Sequence, residues 1–153
     1  MADLKVLFSE LVRLETDLWN GVDARLRSDH DLQLTWFEPM QVMAKHPPCR
    51  VYDIKEELSI TVGGASKLVD RIEAAGLCRR RPNRDDGRSQ LIELTPAGRR
   101  LLVMATRTFE DELQARLGSV ASVRSLDQFV TTLMKLRVAN RRSTKGEDIA
   151  SAS

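Results

Sequence analysis

The residues with the most distinctive chemistry in this sequence are arginines crowded into one short segment. Five of them fall within ten residues: Arg79, Arg80, Arg81, Arg84 and Arg88. Residues 61–100 carry 9 basic and 5 acidic side chains, a net charge of +4, whereas residues 1–60 carry 7 and 11, a net charge of −4. A basic segment beside an acidic one is expected where one face of a protein meets a polyanion, and a solvated surface gives the same pattern.

A predicted helix with unusual first-turn residues precedes the arginines. Val62 to Ala75 has helical periodicity, Thr61 offers a hydroxyl N-cap, and Gly76 supplies the left-handed residue that ends the helix. The positions predicted to pack inward are Leu68, Val69 and Ile72. The other faces of the helix carry Val62, Gly63, Gly64, Ser66, Lys67 and Arg71.

The two adjacent glycines of this helix need an explanation, because each costs about 1 kcal/mol relative to alanine inside a helix. One explanation is close approach of the backbone to DNA, since a bare first turn lets free amides reach a phosphate. The other is a tight crossing against the preceding helix. The sequence leaves both open.

The arginines lie on a predicted β-hairpin. Two extended runs, Leu77–Arg81 and Ser89–Leu94, flank a turn cluster of Pro, Asn, Asp and Gly. Arginines on such a hairpin can enter the narrow minor groove of DNA, where negative potential is concentrated. Asp86 lies two residues before Arg88, so we expect it to accept a salt bridge that orients the guanidinium group.

Apolar residues at steps of three and four predict further helices before the helix at residues 62–75 and after the hairpin. The predicted helices outside it span residues 4–26, 35–45, 51–58, 95–117 and 126–138. Pro47-Pro48 ends the second of them, and Thr95-Pro96 is a strong helix start, with a hydroxyl cap followed by proline at the first helical position. The tail, residues 143–153, is polar and is predicted to be flexible.

The order helix, short turn, helix and basic hairpin predicts a winged helix-turn-helix, in which the second helix of the pair enters the major groove. The fold class is therefore mainly α (α+β), with a wing of two to three strands. A length of 153 residues predicts a single domain, residues 1–153.

The segment Val62 to Arg81 resembles the recognition helix and first wing strand of the multiple antibiotic resistance regulator (MarR) family. The residues that carry this similarity are Ser66-Lys67-Leu68-Val69-Asp70-Arg71-Ile72-Glu73, Gly76-Leu77, Asp86-Gly87-Arg88 and Leu94-Thr95-Pro96-Ala97-Gly98. The resemblance extends over about residues 4–142. Gly63-Gly64 departs from the longer polar residues that many members have there.

The resemblance implies a homodimer that presents two winged modules to a pseudo-palindromic operator in double-stranded DNA. It further implies a repressor that a small ligand releases. The corresponding segments are long N- and C-terminal dimerisation elements (1–28 and 99–142), a winged helix-turn-helix lobe (32–98) and the tail (143–153). The apolar stripes near the two chain ends agree with dimerisation, because one copy of so small a domain cannot readily cover them.

The candidate DNA-binding residues come from the helix and the hairpin: Thr61, Val62, Gly63, Gly64, Ser66, Lys67, Arg71, Arg81, Arg84, Asp86 and Arg88. Ser66, Lys67 and Arg71 are expected on the recognition helix, and Arg84 and Arg88 on the wing. Arg71 has alternatives as a phosphate anchor or as an internal partner of nearby carboxylates, Asp70 or Glu73. A winged-helix adaptor that binds proteins instead of DNA is the alternative function.

A candidate effector site lies near the junction of the first two helices, at Trp19, Asp23, Arg27, His30 and Trp36. An aromatic wall with a cation suits an aromatic carboxylate. In the alternative interpretation the tryptophans belong to the core and Arg27 pairs with Asp23 on the surface.

Other classes of function are not favoured by the sequence. Its two cysteines and two histidines lack the spacing of metal ligands, and no cofactor motif or catalytic motif is present, so we expect no metal, no cofactor and no enzyme activity. A thiol redox sensor is an alternative if Cys78 has a lowered pKa beside the arginines. The sequence also lacks a signal peptide and a membrane-spanning run, so we expect a cytoplasmic protein without a membrane partner.

Overall fold

A computed structural model describes the backbone of residues 1–150 and the side chains of residues 1–141. The elements are α1 (Leu4–His30), α2 (Leu34–Lys45), α3 (Val51–Leu58), α4 (Val62–Ala74), β1 (Cys78–Pro82), β2 (Gln90–Leu94), α5 (Pro96–Leu113), a π-helical turn (Gln114–Gly118) and α6 (Val123–Ala150). The predicted mainly α winged helix-turn-helix is confirmed. The predicted tail, residues 143–153, lies outside the residues whose side chains are described.

Helix α1 continues to His30, beyond its predicted end at Leu26. The carboxylate of Asp3 caps its start by accepting the backbone N–H groups of Lys5 and Val6 at 3.0 and 3.2 Å. Its end is Asp31, which adopts a left-handed conformation with φ 51°. The polar residues before Asp31 therefore remain helical, because polarity by itself does not end a helix.

Helices α3 and α4 form the helix-turn-helix. Ser59 turns the chain in a left-handed conformation with φ 54°. Thr61 then caps α4 as expected, since its hydroxyl accepts the backbone N–H of Gly64 at 3.0 Å. At the other end, Gly76 has φ +76° and leads the chain from α4 into the wing. Local capping signals thus place both ends of α4.

The wing is an antiparallel pair of strands, β1 and β2. Cys78 lies opposite Leu94 at its base, and Pro82 lies opposite Gln90 toward its tip. A single bridge adds the segment before α3, because Ile92 donates its N–H to the carbonyl of Cys49 at 2.7 Å. The predicted two to three strands are therefore present as two strands and one bridge.

The chain forms two compact units, Met1–Glu112 and Leu113–Ser153. The first contains a packed core whose largest fully buried side chains include Leu26, Phe37, Met40, Ile54, Ile72 and Ile92. In the second, none of the described side chains, residues 113–141, is buried. The sequence analysis divided the chain into a winged helix-turn-helix lobe and the elements that pair two chains in a homodimer. That division stays a prediction.

Among the residues that the structure describes, no helix is long and apolar enough to cross a membrane.

Gly98 lies close to the backbone of Leu77 at the base of the wing. The hydroxyl of Thr95 accepts the N–H of Gly98 at 3.0 Å and donates to the carbonyl of Gly76 at 2.7 Å. A methyl group on Gly98 would overlap the backbone carbonyl of Leu77, which cannot move aside as a side chain would.

We therefore expect Gly98→Ala to lower the free energy of unfolding by about 1–3 kcal/mol through overpacking. Urea denaturation followed by circular dichroism measures this change. Gly87→Ala is the matched control, because no atom lies within 4 Å of the position of its new methyl group. Equal stability of the two variants would contradict the assigned contact.

Candidate nucleic-acid interface

Helix α4 presents one buried face and one open face. Ala65, Val69 and Ile72 are buried, at helical spacing. The predicted inward face is corrected at one position, because Leu68 is only half-buried and Ala65 takes the inner place. Of the predicted DNA contacts on α4 and its cap, Thr61, Val62, Gly63, Lys67 and Arg71 are exposed, and Gly64 and Ser66 are half-buried.

The first turn of α4 lacks side chains at two adjacent positions, Gly63 and Gly64. A Cβ atom on Gly63 would meet nothing within 4 Å, and one on Gly64 would approach only the Thr61 hydroxyl, at 3.1 Å. The tight helix crossing considered as an alternative is therefore not supported, because a Cβ atom at either glycine would meet no atom of a neighbouring helix within 4 Å. What remains is an open helix N-terminus to which a phosphate has access.

Arg80 joins α4 to the wing. Its guanidinium group donates to Asp70 at 2.7 Å and to the carbonyl and hydroxyl oxygens of Ser66 at 3.0 and 3.2 Å. Its backbone N–H donates to the carboxylate of Glu73 at 2.6 Å. The side chain is only 19% exposed, so this arginine fixes the wing against the recognition helix and is turned away from a ligand.

These contacts correct the alternative proposed for Arg71. Both carboxylates suggested as its internal partners, Asp70 and Glu73, bind Arg80 instead. Arg71 is exposed, and its guanidinium has no ion pair among the described side chains.

Arg79 and Arg81 share one acidic partner. Arg79 donates to the carboxylate of Glu93 at 2.6 Å, and Arg81 lies 3.6 Å from it. The hydrogen bond from Arg79 lowers the pKa of Glu93, and the charges of Arg79 and Arg81 add to this effect. Arg81 therefore keeps a weakly engaged guanidinium, with 55% of its side chain exposed.

Arg84 and Arg88 lie at the wing tip. Both are exposed, and neither guanidinium has a hydrogen-bond or ion-pair partner within residues 1–141. The expected salt bridge from Asp86 to the Arg88 guanidinium is wrong. Asp86 instead accepts the backbone N–H of Arg88 at 3.0 Å, so it shapes the turn.

Asn83 orders the inside of the same turn. Although polar, it is buried, with its amide donating to the Ser89 hydroxyl at 3.0 Å and accepting the N–H of Asp85 at 3.1 Å. Sequence reasoning missed this residue and Arg80. An asparagine after proline within a turn cluster is a usable signal for Asn83, whereas the inward direction of Arg80 depends on strand register.

The residues of the predicted effector site have other partners. Asp23 accepts from Arg27 at 2.7 Å and from the backbone N–H of Leu34 at 2.9 Å, so it joins α1 to the start of α2. His30 lies 2.7 Å from the Thr108 hydroxyl. This agrees with the surface-pair alternative for Arg27.

The two tryptophans of that set are not core residues of this chain. Trp19 is 37% exposed and Trp36 is half-buried. The alternative in which both belong to the core is therefore not supported, and the effector assignment stays a prediction.

The cysteines do not have the properties of a redox sensor. Cys49 and Cys78 are buried, and burial raises the pKa of both thiols to about 12. The alternative of a lowered pKa at Cys78 is thus not supported, because desolvation outweighs the nearby charge of Arg80. Among the described residues, no group of three or more His, Cys, Asp or Glu side chains is arranged to hold a metal ion.

Comparison with known proteins places this geometry in context. The MarR family model matches residues 30–89, which contain the helix-turn-helix and the first half of the wing. No curated sequence matches the chain.

Solved structures share its fold over nearly the whole chain. AbsC, a MarR family transcriptional regulator from Streptomyces coelicolor, aligns with a TM-score of 0.84 at 15% identity, covering 92% of this chain and 97% of AbsC. Sco3205, a MarR family transcriptional regulator from the same organism in complex with DNA, aligns with a TM-score of 0.81 at 19% identity, covering 89% and 86%. The S. aureus MepR–DNA complex aligns with a TM-score of 0.77 at 22% identity, covering 91% and 99%.

The family-model match lies on the recognition helix and wing described above, and the solved structures extend the likeness to the flanking helices. Residues 30–89 thus match the MarR family model, and the chain has the winged-helix fold of the MarR family regulators with which it aligns.

Proposed function

We propose that this protein is a transcription regulator that binds double-stranded DNA as a homodimer. The observation that carries the proposal is the placement of one open helix face beside a charged wing. Arg80 links α4 to β1, so the exposed Lys67 and Arg71 lie on an element that is joined to the wing with the unpaired tip arginines. Relatives whose structures contain DNA support a nucleic acid as the partner.

The proposed contacts differ in kind. Ser66, Lys67 and Arg71 reach base edges in the major groove, where lysine and arginine bind the acceptors of guanine. The backbone at residues 61–64 approaches a phosphate. Arg81, Arg84 and Arg88 contact phosphates or the adjacent minor groove.

We propose a homodimer because large apolar side chains of the single chain are exposed to solvent. In α1, Leu4, Leu7 and Phe8 are 72, 43 and 70% exposed. In α6, Val130 and Met134 are 53 and 62% exposed. A second copy that covers these helices would present two wings to half-sites about one helical turn, ~34 Å, apart.

Repression and release by a small ligand complete the proposal. The predicted effector site offers Trp19 and Trp36 as apolar walls, with Arg27 already neutralised by Asp23. Trp36→Leu tests this site, because a ligand bound there should then release DNA less effectively. Unchanged release would contradict the assignment.

The first experiment is fluorescence-anisotropy binding to duplexes from upstream of the protein's own gene and to scrambled duplexes, over a salt series. A regulator should prefer one duplex by about 10³-fold or more. Its binding should also weaken with salt by a slope of about −0.9 per neutralised phosphate. Weak, salt-insensitive binding to every duplex would favour the protein-binding adaptor instead.

Lys67→Ala is expected to weaken binding to the preferred duplex about tenfold and to change the preference among base-substituted duplexes. The reason is the loss of a base contact, worth about 1–3 kcal/mol. The same anisotropy assay measures both effects. Lys45→Ala is the matched control. Lys45 is an exposed lysine at the end of α2, and it pairs with Glu57 of α3 at 3.7 Å. Equal losses for the two variants would contradict the recognition role of Lys67.

A further inference from the structure

The two strands of the wing carry one carboxylate among their arginines. Arg79, Arg80 and Arg81 of β1 are basic, and Glu93 of β2 is the one acidic residue of these strands. Arg80 points toward α4, where its guanidinium donates to Asp70. Glu93 therefore faces the two arginines on the opposite, outer face of the hairpin, Arg79 and Arg81.

The Glu93 carboxylate divides its two oxygens between these arginines. Its Oε1 accepts from the Nε of Arg79 at 2.6 Å, and its Oε2 lies 3.6 Å from a guanidinium nitrogen of Arg81. The side chain of Glu93 is 28% exposed, whereas those of Arg79 and Arg81 are 67 and 55% exposed. Both guanidinium groups are therefore open to a second anion, which has to compete with Glu93 for them.

A third arginine adds to the positive charge around this carboxylate. Arg81, Glu93 and Arg99 line one cavity of about 640 Å³. The hydrogen bond from Arg79 lowers the pKa of Glu93, and the charges of all three arginines act in the same direction. Glu93 therefore keeps its negative charge at the pH values at which DNA binding is measured.

We propose that Glu93 limits the sequence-independent part of the affinity for DNA, because it competes with phosphates for Arg79 and Arg81. A guanidinium released from the carboxylate can contact a phosphate, and such contacts carry no sequence information. A genome offers about 10⁶–10⁹ competing non-specific sites, so weaker non-specific binding leaves more protein free to reach an operator. This inference rests on the proposed function, because it gives Glu93 a role in the same DNA interface.

The test compares Glu93→Gln with the wild-type protein on scrambled and preferred duplexes, by fluorescence anisotropy over a salt series. We expect the variant to bind the scrambled duplex about fivefold more tightly or better, with a gain of similar size on the preferred duplex. The salt dependence should steepen by about 0.9 for each guanidinium that gains a phosphate. No tightening on the scrambled duplex, or a gain confined to the preferred one, would overturn the proposal.

Glu110→Gln is the matched control for the change in net charge. Glu110 is an exposed glutamate of α5 without an ion pair among the described side chains, so its substitution releases no arginine. Thermal melts establish that both variants fold alike, as expected because exposed ion pairs contribute little stability. Equal gains in DNA affinity for the two variants would overturn the proposal, since net charge alone would then account for the effect.

The same substitution is repeated in the background Arg79→Gln/Arg81→Gln, in which neither guanidinium remains for Glu93 to hold. Most of the gain in affinity and the change in salt slope should be lost there. An undiminished gain would show that the carboxylate repels phosphates directly, and it would overturn the assigned competition.

Failure of the proposed function gives a different pattern of results. If the wild-type protein prefers no duplex but Glu93→Gln still binds scrambled DNA more tightly, the regulator proposal fails and the role of Glu93 stands. If one duplex is preferred and Glu93→Gln leaves every affinity unchanged, the inference fails and the regulator proposal stands.

Discussion

We expect Phe8→Asp to convert the proposed homodimer into monomers and to lower affinity for the operator by more than about 100-fold. Phe8 is 70% exposed in the single chain, beside Leu4 and Leu7 on the same stripe of α1. If a second copy covers position 8, the new carboxylate loses its hydration without gaining a hydrogen-bond or ion-pair partner. This desolvation costs free energy and opposes dimerisation. A monomer would engage one half-site and lose the avidity of two linked wings, worth about 10²–10⁴-fold. Analytical ultracentrifugation and DNA anisotropy measure the two effects.

Ser9→Asp is the matched control for this prediction. Ser9 is also exposed, and it lies about 100° around α1 from Phe8, so the same charge is added away from the apolar stripe. The fold of each chain should survive in both variants, because Phe8 is largely uncovered by its own chain. A Phe8→Asp protein that remains dimeric would exclude this half of α1 from the dimer interface.

The parts of the fold that were predictable are those with local signals. Thr61 and Gly76 mark the ends of the recognition helix, and Thr95-Pro96 marks the start of α5. The π-helical turn Gln114–Gly118 was not predictable, because the apolar spacing through Leu117 is that of an ordinary α-helix. The widened turn depends on hydrogen bonding between residues five apart, for which no residue type is diagnostic.

The roles of the wing arginines could not be read from their spacing, because they depend on strand register. The register pairs Arg79 with Glu93 and Arg80 with Ile92. Successive side chains on a strand point to opposite faces, so Arg79 and Arg81 share a face with Glu93 while Arg80 points toward α4. A shift by one residue would exchange these roles. Because the second strand lacks strict alternation, the sequence did not specify which arginines are internal.

The open face of α4 was easier to predict, because helical periodicity depends only on sequence position. Lys67 and Arg71 are exposed as expected. The reason for a glycine at position 63 could not be decided from the sequence. Only the surrounding atoms distinguish an open first turn from a tight helix crossing. Likewise, the cavity that Met43, Pro48, Arg81, Leu91 and Arg99 line joins residues from five separate segments, which no local pattern in the sequence connects.

We expect the double variant Arg84→Ala/Arg88→Ala to weaken operator binding about 100-fold, with similar losses on preferred and scrambled duplexes. Both side chains are exposed and lack an ion-pair partner within residues 1–141, so their removal costs the free protein little. Each lost phosphate contact should also reduce the steepness of the salt dependence by about 0.9. Anisotropy titrations over a salt series measure the affinity and the slope together.

Arg79→Ala is the informative control for the wing tip when it is compared with the single variants Arg84→Ala and Arg88→Ala, because each of the three removes one positive charge from the same hairpin. The guanidinium of Arg79 is already paired with Glu93 at 2.6 Å, so its loss should change DNA affinity much less than either tip substitution. If all three arginines prove equivalent, the wing attracts DNA only through its summed charge, and the tip makes no defined contact. A salt slope unchanged in the double variant would show instead that Arg84 and Arg88 do not reach phosphates, because released counterions are what the slope counts.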